Sequence, residues 1–513
     1  MLKPTNLDNP DALVQSWLSG RAQCDGQRLT LQPLQPTDLA HKCRLAYHWL
    51  VTQAIFCPYT DLEYGDPLTL GAEPAPTLNL PSQPSYASFV LLPLLTVMTS
   101  RSLLFIGAPG RGKTTLATLM GLLAGHSLRE MRHAIQHGHP QLNQTDLLGS
   151  PLPADLIKAQ QPSDIRVAWR GWLSLRVKII DEYNRIPTKT QAALLSLMAE
   201  GYAEMYEQII ECGDSAWFLT ANDELGGGTF PVIDALKDRI DLVVRGMPFH
   251  SLYLQQLAQR LENAQHPENF IPQALIFSPG ELQQINAQIR AIPLAAPALD
   301  RLGFFLSQLD FCQRASTHLE FQNKDTLHLA GLRVGQVCTE DCPLDKQQNI
   351  CSQTENGVSA RAYQTIIHYA KALAFFRGQA EAGDEDIRQI VPWVLHERLQ
   401  RNPHSPIFQS PRHHHYKTDT IAWIRQLYDQ AMLQFVEYQG THQAVHSLQQ
   451  QATSDFKRTQ PLSDWELQQR LQKLQTHLQQ LLQQEFNAPV HHDLVLLKHL
   501  YSQYRPISPQ RPL

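Results

Sequence analysis

One glycine-rich turn constrains the fold of this chain more than any other feature of its sequence. The turn, GAPGRGKT from Gly107 to Thr114, follows a short apolar run from Ser102 to Ile106 and opens a helical pattern. Glycines at these positions let backbone N–H groups turn inward around phosphates, at the positive end of the following helix. A strand, a tight turn and a helix in this order begin a parallel α/β sheet. We therefore predict an α/β fold with a phosphate-binding P-loop.

The P-loop pattern predicts a role for its individual residues. The Lys113 ammonium would reach the β- and γ-phosphates of ATP, and the Thr114 hydroxyl would be a ligand of Mg²⁺. ATP and Mg²⁺ are accordingly the predicted cofactors. The residues expected to line the nucleotide are Gly107, Ala108, Pro109, Gly110, Arg111, Gly112, Lys113, Thr114 and Thr115.

A second apolar strand, residues 177–180, ends in the acidic pair Asp181 and Glu182. The end of a strand beside a P-loop is where magnesium must be held, and the next acidic residue can polarise the attacking water. Asp181 is therefore a candidate Mg²⁺ ligand together with Thr114, and Glu182 is a candidate catalytic base. Acidic pairs at strand ends are often only solvated, but the upstream P-loop favours the catalytic interpretation.

The residues after the acidic pair carry a more specific pattern. The run DEYNRIPTKTQAALL at 181–195 resembles the Walker B signature of MoxR-type AAA+ ATPases, with Tyr183 as the main departure. Four other segments resemble motifs of that family and occur in the family's order. They are TDLLG at 145–149, FLTAN at 218–222, the segment from GTFP to DRID at 228–241, and NGVSARA at 356–362. The resemblance covers about residues 85 to 400. It implies an AAA+ P-loop domain with a parallel sheet, followed by a helical lid.

The resemblance also implies catalytic roles for residues outside the P-loop. Asn222 would help to orient the attacking water, and Arg361 would be the sensor-2 arginine. Arg239 would be an arginine finger that reaches the γ-phosphate bound by a neighbouring subunit, with Arg245 and Arg185 as alternatives. Such an arginine increases the rate of related machines by about 10³ to 10⁵. The predicted catalytic residues are Glu182, Asn222, Arg239 and Arg361.

For the function, the resemblance implies a magnesium-dependent ATPase that works as a homo-oligomer, usually a hexameric ring. Members of the family assemble, activate or metallate a partner protein, commonly one with a von Willebrand factor A domain. This chain has no D-x-S-x-S metal-binding signature, so such a domain would belong to another polypeptide. A nucleic-acid motor related to minichromosome-maintenance helicases or restriction motors is the alternative. A scaffold that binds nucleotide without hydrolysis is a third interpretation, and the presence of Glu182 argues against it.

Length and composition limit these interpretations. A chain of 513 residues is too long for one hydrophobic core. Its net charge of -5 argues against a basic surface for nucleic acid. No apolar run reaches the roughly 18 residues that a membrane span needs, and the N-terminus lacks the apolar core of a secretory signal. The 8 cysteines show no regular disulfide spacing, which suggests a reducing compartment. We therefore expect a cytoplasmic protein.

We predict four regions along the chain. They are an N-terminal region and linker at 1–85, the AAA+ nucleotide-binding domain at 86–248, a helical lid at 249–405 with a polar insertion at 321–356, and a helical C-terminal appendage at 406–513. The lid is expected to close over the nucleotide and to carry Arg361. In the appendage, Gly440 is placed to end one helix, and a leucine stripe at 467–481 predicts a packed helical hairpin.

The polar insertion departs from the family pattern because it contains several cysteines. Cys338, Cys342 and Cys351 lie in it, and Cys312 lies on the preceding helix. Four thiols are enough for a structural zinc ion or an iron–sulfur cluster. Against this, none of them forms a C-x-x-C pair, and free cysteines are often plain buried residues. Metal binding at these four cysteines and simple burial both remain open from the sequence.

Overall fold

The computed structural model describes residues 39–71, 78–222, 238–347, 349–460 and 462–505. The chain folds into two compact units, one formed by residues 1–295 with 361–394 and the other by residues 296–360 with 395–513. The predicted N-terminal region up to residue 38 lies outside the described residues, as does the GTFP part of the segment at 228–241. None of the helices described is long and apolar enough to cross a membrane.

A parallel sheet of five strands forms the centre of the first unit. The strands are β1 (Ser102–Ile106), β2 (Ile135–His137), β3 (Val177–Asp181), β4 (Ala216–Ala221) and β5 (Leu242–Arg245), in the spatial order β5-β1-β4-β3-β2. Strands β1, β3 and β4 read as nearly continuous apolar runs and are buried, as expected where helices cover both faces of a parallel sheet. The predicted α/β fold with its P-loop domain is confirmed.

Helices and three short hairpins surround this sheet in the first unit. The two-stranded hairpins pair Leu68–Leu70 with Leu78–Leu80, Gly149–Pro151 with Val167–Trp169, and Tyr202–Met205 with Gln208–Glu211. The helices are Leu39–Trp49, Ser88–Thr99, Lys113–Leu123, Leu128–Ala134, Gln144–Leu148, Pro153–Lys158, Thr188–Glu200, Leu254–Glu262, Pro279–Ala291, Ala360–Arg377 and Asp384–Leu395.

The described part of the N-terminal region packs on this unit and is not a separate linker. The Lys42 ammonium donates hydrogen bonds to the carbonyl oxygen of Ile276 and to Oε1 of Glu281, both at 2.8 Å. The Tyr47 hydroxyl accepts a hydrogen bond from the backbone N–H of Ala87 at 2.7 Å. Buried polar groups need such partners, so these bonds fix the first described helix against the rest of the unit.

The borders of the two units also differ from the predicted lid. Four helices that we assigned to the lid at 249–405 lie wholly or almost wholly in the first unit. Thr365 donates to Oδ1 of Asp241 at 2.7 Å, and the hydroxyls of Tyr369 and Thr96 are 2.9 Å apart. The polar insertion belongs instead to the second unit, together with the C-terminal appendage.

The second unit is helical. Its helices are Ala296–Asp310, Lys324–Leu329, Val334–Val337, Pro406–Gln409, Thr420–Phe456, Asp464–Leu481 and Ala488–Tyr504. The leucine stripe of the helix Asp464–Leu481 packs against the helix Ala488–Tyr504, which confirms the predicted hairpin.

Our prediction for Gly440 is wrong. This glycine lies inside the 37-residue helix Thr420–Phe456 and does not end it. A glycine inside a helix costs only about 1 kcal/mol. Phe435 before it and Val445 after it are both buried, so packing on either side of Gly440 outweighs that cost.

Candidate nucleotide site

The P-loop connects β1 to the helix Lys113–Leu123 at the carboxyl edge of the sheet. Gly110 and Gly112 adopt left-handed backbone conformations, with φ of +76° and +72°, and no atom lies within 4 Å of where a Cβ would stand on either. That open side is where phosphate oxygens would approach the backbone N–H groups. The loop borders a cavity of about 270 Å³, whose lining residues are Pro109, Gly110, Arg111, Gly112, Lys113, Thr114, Thr115, Asp181, Glu182, Thr220 and Asn222.

The Lys113 ammonium is buried between the P-loop and strand β4. It donates hydrogen bonds to the carbonyl oxygens of Gly107, of Ala108 at 3.3 Å and of Ala221 at 3.1 Å, and to Oδ1 of Asn222 at 2.8 Å. The predicted phosphate-binding lysine and the predicted sensor asparagine are therefore in direct contact. Gly107 and Ala108, which were expected at the nucleotide, take part through their carbonyl groups.

The two predicted magnesium ligands also touch each other. The Thr114 hydroxyl donates to Oδ1 of Asp181 at 2.9 Å. The Thr220 hydroxyl donates to the same oxygen at 2.6 Å, and Nδ1 of His137 lies 3.4 Å from Oδ2. A carboxylate beside a hydroxyl is an oxygen donor set that suits Mg²⁺. Sequence analysis missed Thr220, because a threonine in an apolar strand gives no signal until the strand is placed beside β3.

The candidate base Glu182 is held on both of its carboxylate oxygens. Nδ2 of Asn222 donates to Oε1 at 3.0 Å, and Nη1 of Arg185 lies 3.2 Å from Oε2. Glu182 also has a left-handed backbone, with φ of 53°, and its N–H donates to the Thr220 hydroxyl at 3.0 Å. A non-glycine residue in this conformation stores strain of about 1 to 3 kcal/mol and is typical of functional sites.

A second cavity, of about 230 Å³, shares Gly110, Arg111, Gly112 and Thr115 with the P-loop. Four aromatic side chains are among the residues that line it: Phe56, Tyr59, Phe89 and Phe249. An apolar cavity beside a phosphate loop suits a nucleobase. Sequence analysis missed this cavity because its wall comes from segments about 200 residues apart, as the 206-residue separation between Ala54 and Arg260 illustrates.

The two predicted catalytic arginines lie at the opposite edge of the sheet from the P-loop. The Arg239 carbonyl oxygen accepts a hydrogen bond from the hydroxyl of Ser102, the first residue of β1. Arg361 forms an ion pair with Asp238 at 3.1 Å. Both arginines line a cavity of about 460 Å³ that also contains Arg101 and Arg290.

Arg361, predicted as the sensor-2 arginine on the lid, therefore lies at the amino edge of the sheet in this structure. Thr365, one turn after Arg361, is tied to Asp241 beside the first residue of β1, so the start of this helix lies at the amino edge. The alternatives for the finger lie elsewhere: Arg245 pairs with Ile106 at the carboxyl end of β1, and Arg185 contacts Glu182. The cavity with Arg239 and Arg361 contains four arginines and the two carboxylates of Asp214 and Asp241. Burial, followed by the charge of Arg101, lowers the pKa of His368 in its wall to about 4, so this imidazole is neutral at pH 7.

Two of the four cysteines of the second unit, Cys342 and Cys351, pack against the same apolar cluster of Phe311, Leu344 and Ala488. Within the described residues, no group of three or more His, Cys, Asp or Glu side chains is arranged to hold a metal ion.

Comparison with known protein families agrees with this geometry. Residues 102–242 match the family "ATPase family associated with various cellular activities (AAA)", and residues 346–413 match the AAA lid domain. The chain thus contains one segment that matches an AAA domain and one that matches an AAA lid domain. The match at 102–242 includes the P-loop, the acidic pair, the sensor strand and Arg239. It therefore covers residues at both edges of the sheet.

Similarity to individual proteins is more distant. The chain is 25% identical over 205 residues to the uncharacterized protein YeaC of Bacillus subtilis, which is 38% of this chain and 60% of YeaC. The chain thus spans less than two thirds of the length of this curated relative. A crystal structure named as a "putative ATPase" from Cytophaga hutchinsonii is similar to 67% of this chain and 89% of that one, with 19% identity and a TM-score of 0.46.

We predict that Gly138→Ala will damage the site without removing any side chain from it. The Gly138 N–H donates to the Asp181 carbonyl oxygen at 2.7 Å, and an added methyl group would overlap the carbonyl oxygen of Glu182. The strand end must shift, so ATP turnover should fall by about 10²-fold, the effect of a displacement of about 1 Å in a catalytic group. Gly280→Ala is the matched control, because nothing lies within 4 Å of its Cβ position. Equal turnover of the two variants would contradict the prediction.

Proposed function

We propose that this chain hydrolyses ATP in a magnesium-dependent reaction. The observation that carries the proposal is the contact of Thr114 with Asp181 at 2.9 Å, in the same cavity as Lys113 and Glu182. Thr114 and Asp181 would hold Mg²⁺, which would supply positive charge to the phosphates, and the Lys113 ammonium would supply more. Glu182, oriented by Asn222, would accept the proton of the attacking water. The adenine ring would lie in the neighbouring apolar cavity, which shares Gly110, Arg111, Gly112 and Thr115 with the P-loop.

Substitution of Lys113 should affect ATP binding, whereas substitution of Glu182 should affect ATP turnover. Lys113→Ala should abolish ATP binding, because it removes the cation that faces the phosphates. Glu182→Gln should keep ATP affinity but reduce turnover by about 10² to 10⁴-fold, the usual contribution of a general base. Binding is measured with a fluorescent ATP analogue and turnover by phosphate release. Normal turnover by Glu182→Gln would rule out its assignment as the base.

We further propose that the complete site is shared between neighbouring subunits of a ring. Strand β1 has 5 residues, so Arg239 at its start and the P-loop after its end are about 15 Å apart. An arginine side chain is too short to cross that distance within one chain. Arg239 and Arg361 line a cavity with Arg101 and Arg290, and these four arginines outnumber its two aspartates, Asp214 and Asp241, so the cavity suits an anion. A neighbouring subunit's γ-phosphate would be that anion, and repetition of such a heterologous contact closes a ring, for which we propose six members.

A mixing experiment tests the shared site. Arg239→Ala should keep ATP affinity but lose about 10³-fold or more of its turnover, in line with the effect of arginine fingers. Addition of Lys113→Ala protein should restore part of that turnover, because its intact Arg239 can serve the intact P-loop of the other variant. The matched control is Glu182→Gln mixed with Lys113→Ala, in which both substitutions damage the same edge and no rescue is expected. Rescue in neither mixture would refute the shared site.

For the biological role, we propose a MoxR-type machine that remodels a partner protein, with a von Willebrand factor A domain protein as the expected class of partner. Exposed apolar side chains support a polypeptide client: Leu156 is 49% and Ile157 is 87% exposed on the helix Pro153–Lys158, and Ile209 is 62% exposed on the hairpin at 202–211. Exposed apolar groups of this kind mark protein contacts more often than phosphate contacts.

The nucleic-acid motor is the second candidate, and the same hairpin argues against it. Its sequence YAEMYEQIIE contains Glu204, Glu207 and Glu211 and no lysine or arginine. Affinity for a phosphate backbone comes mainly from Lys and Arg contacts, so an acidic hairpin would repel nucleic acid. The chain's net charge of -5 points in the same direction.

A pull-down distinguishes the two roles. Glu182→Gln protein, loaded with ATP in an extract of the native host, should retain a protein partner that survives nuclease treatment. Lys113→Ala protein is the control bait, because it should not bind ATP and should retain no partner. Recovery that depends on ATP but is lost after nuclease treatment would favour the nucleic-acid motor instead.

A further inference from the structure

A buried threonine lies beside both members of the acidic pair, and the hydrolysis proposed above does not use it. Thr220 is the last residue but one of strand β4, and it is 2% exposed. In the parallel pairing of β4 with β3, Leu219 lies opposite Ile180, the residue before Asp181. The sheet itself therefore brings the Thr220 hydroxyl to the place where the acidic pair leaves β3.

The Thr220 hydroxyl contacts both acidic residues through its single oxygen atom. Oγ1 donates its proton to Oδ1 of Asp181 at 2.6 Å, a length that is usual for a hydroxyl bonded to a charged carboxylate. The same oxygen accepts the backbone N–H of Glu182 at 3.0 Å. A hydroxyl can donate and accept at the same time, so the two bonds do not compete. One atom of β4 thus fixes the carboxylate of Asp181 and the backbone of Glu182.

The bond from Thr220 differs from the bond that Thr114 donates to the same carboxylate oxygen at 2.9 Å. Together the two hydroxyls occupy both lone pairs of that oxygen. A cation held by Thr114 and Asp181 needs lone pairs of both residues, so the Thr114 proton must turn away from Asp181 when the cation binds. The Thr220 bond need not change. It can therefore keep the carboxylate oriented while the Thr114 bond is exchanged for the cation.

The second bond of Thr220 supports an unusual backbone conformation at Glu182. The φ of Glu182 is 53°, in the left-handed region that side chains other than glycine seldom adopt. A backbone N–H that loses its partner away from water destabilises the conformation that leaves it unpaired. The acceptor on Thr220 therefore favours the left-handed conformation. In that conformation the Glu182 carboxylate receives the hydrogen bond from Nδ2 of Asn222 at 3.0 Å.

We propose that Thr220 is a positioning residue for ATP hydrolysis, whose hydroxyl aligns the Mg²⁺ ligand Asp181 and the base Glu182 at the same time. This inference rests on the magnesium-dependent hydrolysis proposed above. Loss of a group that orients a metal ligand typically lowers metal affinity by about 10- to 100-fold. Displacement of a catalytic carboxylate by about 1 Å lowers turnover by about 10²-fold. Removal of this one hydroxyl should therefore weaken metal binding and turnover together.

Thr220→Val tests the proposal, because valine suits a buried strand and has nearly the shape of threonine without its hydroxyl. In EDTA, its affinity for a fluorescent ATP analogue should equal that of the unaltered protein. Manganese is then titrated into protein held in excess over a non-hydrolysable ATP analogue, and free manganese is measured by electron paramagnetic resonance. The manganese affinity of the variant should be about 10- to 100-fold lower. Phosphate release at saturating Mg²⁺ should fall by about 10²-fold.

Three further variants separate the hydroxyl from the packing around it. Thr220→Ser keeps the hydroxyl and should restore both manganese affinity and turnover. Thr220→Ala removes the hydroxyl without placing a methyl group beside Asp181, and it should behave as Thr220→Val does. Thr118→Val is the matched control, because the buried Thr118 hydroxyl donates to the Thr114 carbonyl oxygen, at 2.9 Å, within the P-loop helix. Its manganese affinity and turnover should be unchanged.

The outcomes distinguish this inference from the proposed function. Manganese affinity and turnover that are unaltered in Thr220→Val would overturn the inference alone. Equal losses in Thr220→Ser and Thr220→Val would also overturn it, since the hydroxyl would then not be the cause. Loss of nucleotide affinity in EDTA in both Thr220→Val and Thr220→Ala would assign Thr220 a merely structural role. Unaltered protein that adds nothing to the manganese affinity of the free analogue would overturn the proposed function and this inference with it.

Discussion

The hydrogen bonds that Asp181 accepts from Thr114 and Thr220 hold together the three elements on which the candidate site depends. The two bonds, of 2.9 and 2.6 Å, end on the same carboxylate oxygen and connect the P-loop helix to strands β3 and β4. Parallel strands end at one edge, so a short acidic side chain at the end of β3 reaches partners on both sides. Lys113 makes a second connection between the P-loop helix and the end of β4, because its ammonium donates to Oδ1 of Asn222 at 2.8 Å. These bonds fix the side chains of the site relative to one another, and a fixed site loses less conformational freedom when it binds a ligand.

A second carboxylate organises the other edge of the sheet. Asp241 accepts hydrogen bonds from the N–H and the hydroxyl of Ser102, at 3.0 and 2.9 Å, and from the Thr365 hydroxyl at 2.7 Å. These bonds hold three segments together: the start of β1, the segment after Arg239, and the helix that begins beside Arg361. The arginines are thus placed by the sheet itself. In the proposed ring, one subunit's rigid amino edge would meet its neighbour's rigid carboxyl edge, and hydrolysis would require that contact.

The sequence predicted the parts of the site that depend on local pattern. A P-loop is recognised because its glycines, lysine and threonine are adjacent in the chain, and the acidic pair is recognised at the end of an apolar strand. Thr220 and the apolar cavity beside the P-loop were missed because they become part of the site only through long-range packing, which leaves no local pattern. The helix end predicted at Gly440 is wrong for the same reason, because the packing of Phe435 and Val445 outweighs the tendency of glycine to end a helix. The helices of the predicted lid are divided between the two units, because the pattern of a helix does not reveal which unit covers its apolar face.

The path of the chain links the arginine edge to the second unit. The chain leaves the first unit after Ala295 and returns at Arg361, so this arginine is the first residue after the return. The helix that begins there is fixed to the sheet by Thr365 and Tyr369, and the 65 residues before it belong to the second unit. If the γ-phosphate of a neighbouring subunit attracted Arg361, the ion pair of Arg361 with Asp238, 3.1 Å away, would break. Release of phosphate would restore the pair. In the proposed ring, the nucleotide of one subunit would thereby act on the residue at which its neighbour's chain returns to the first unit.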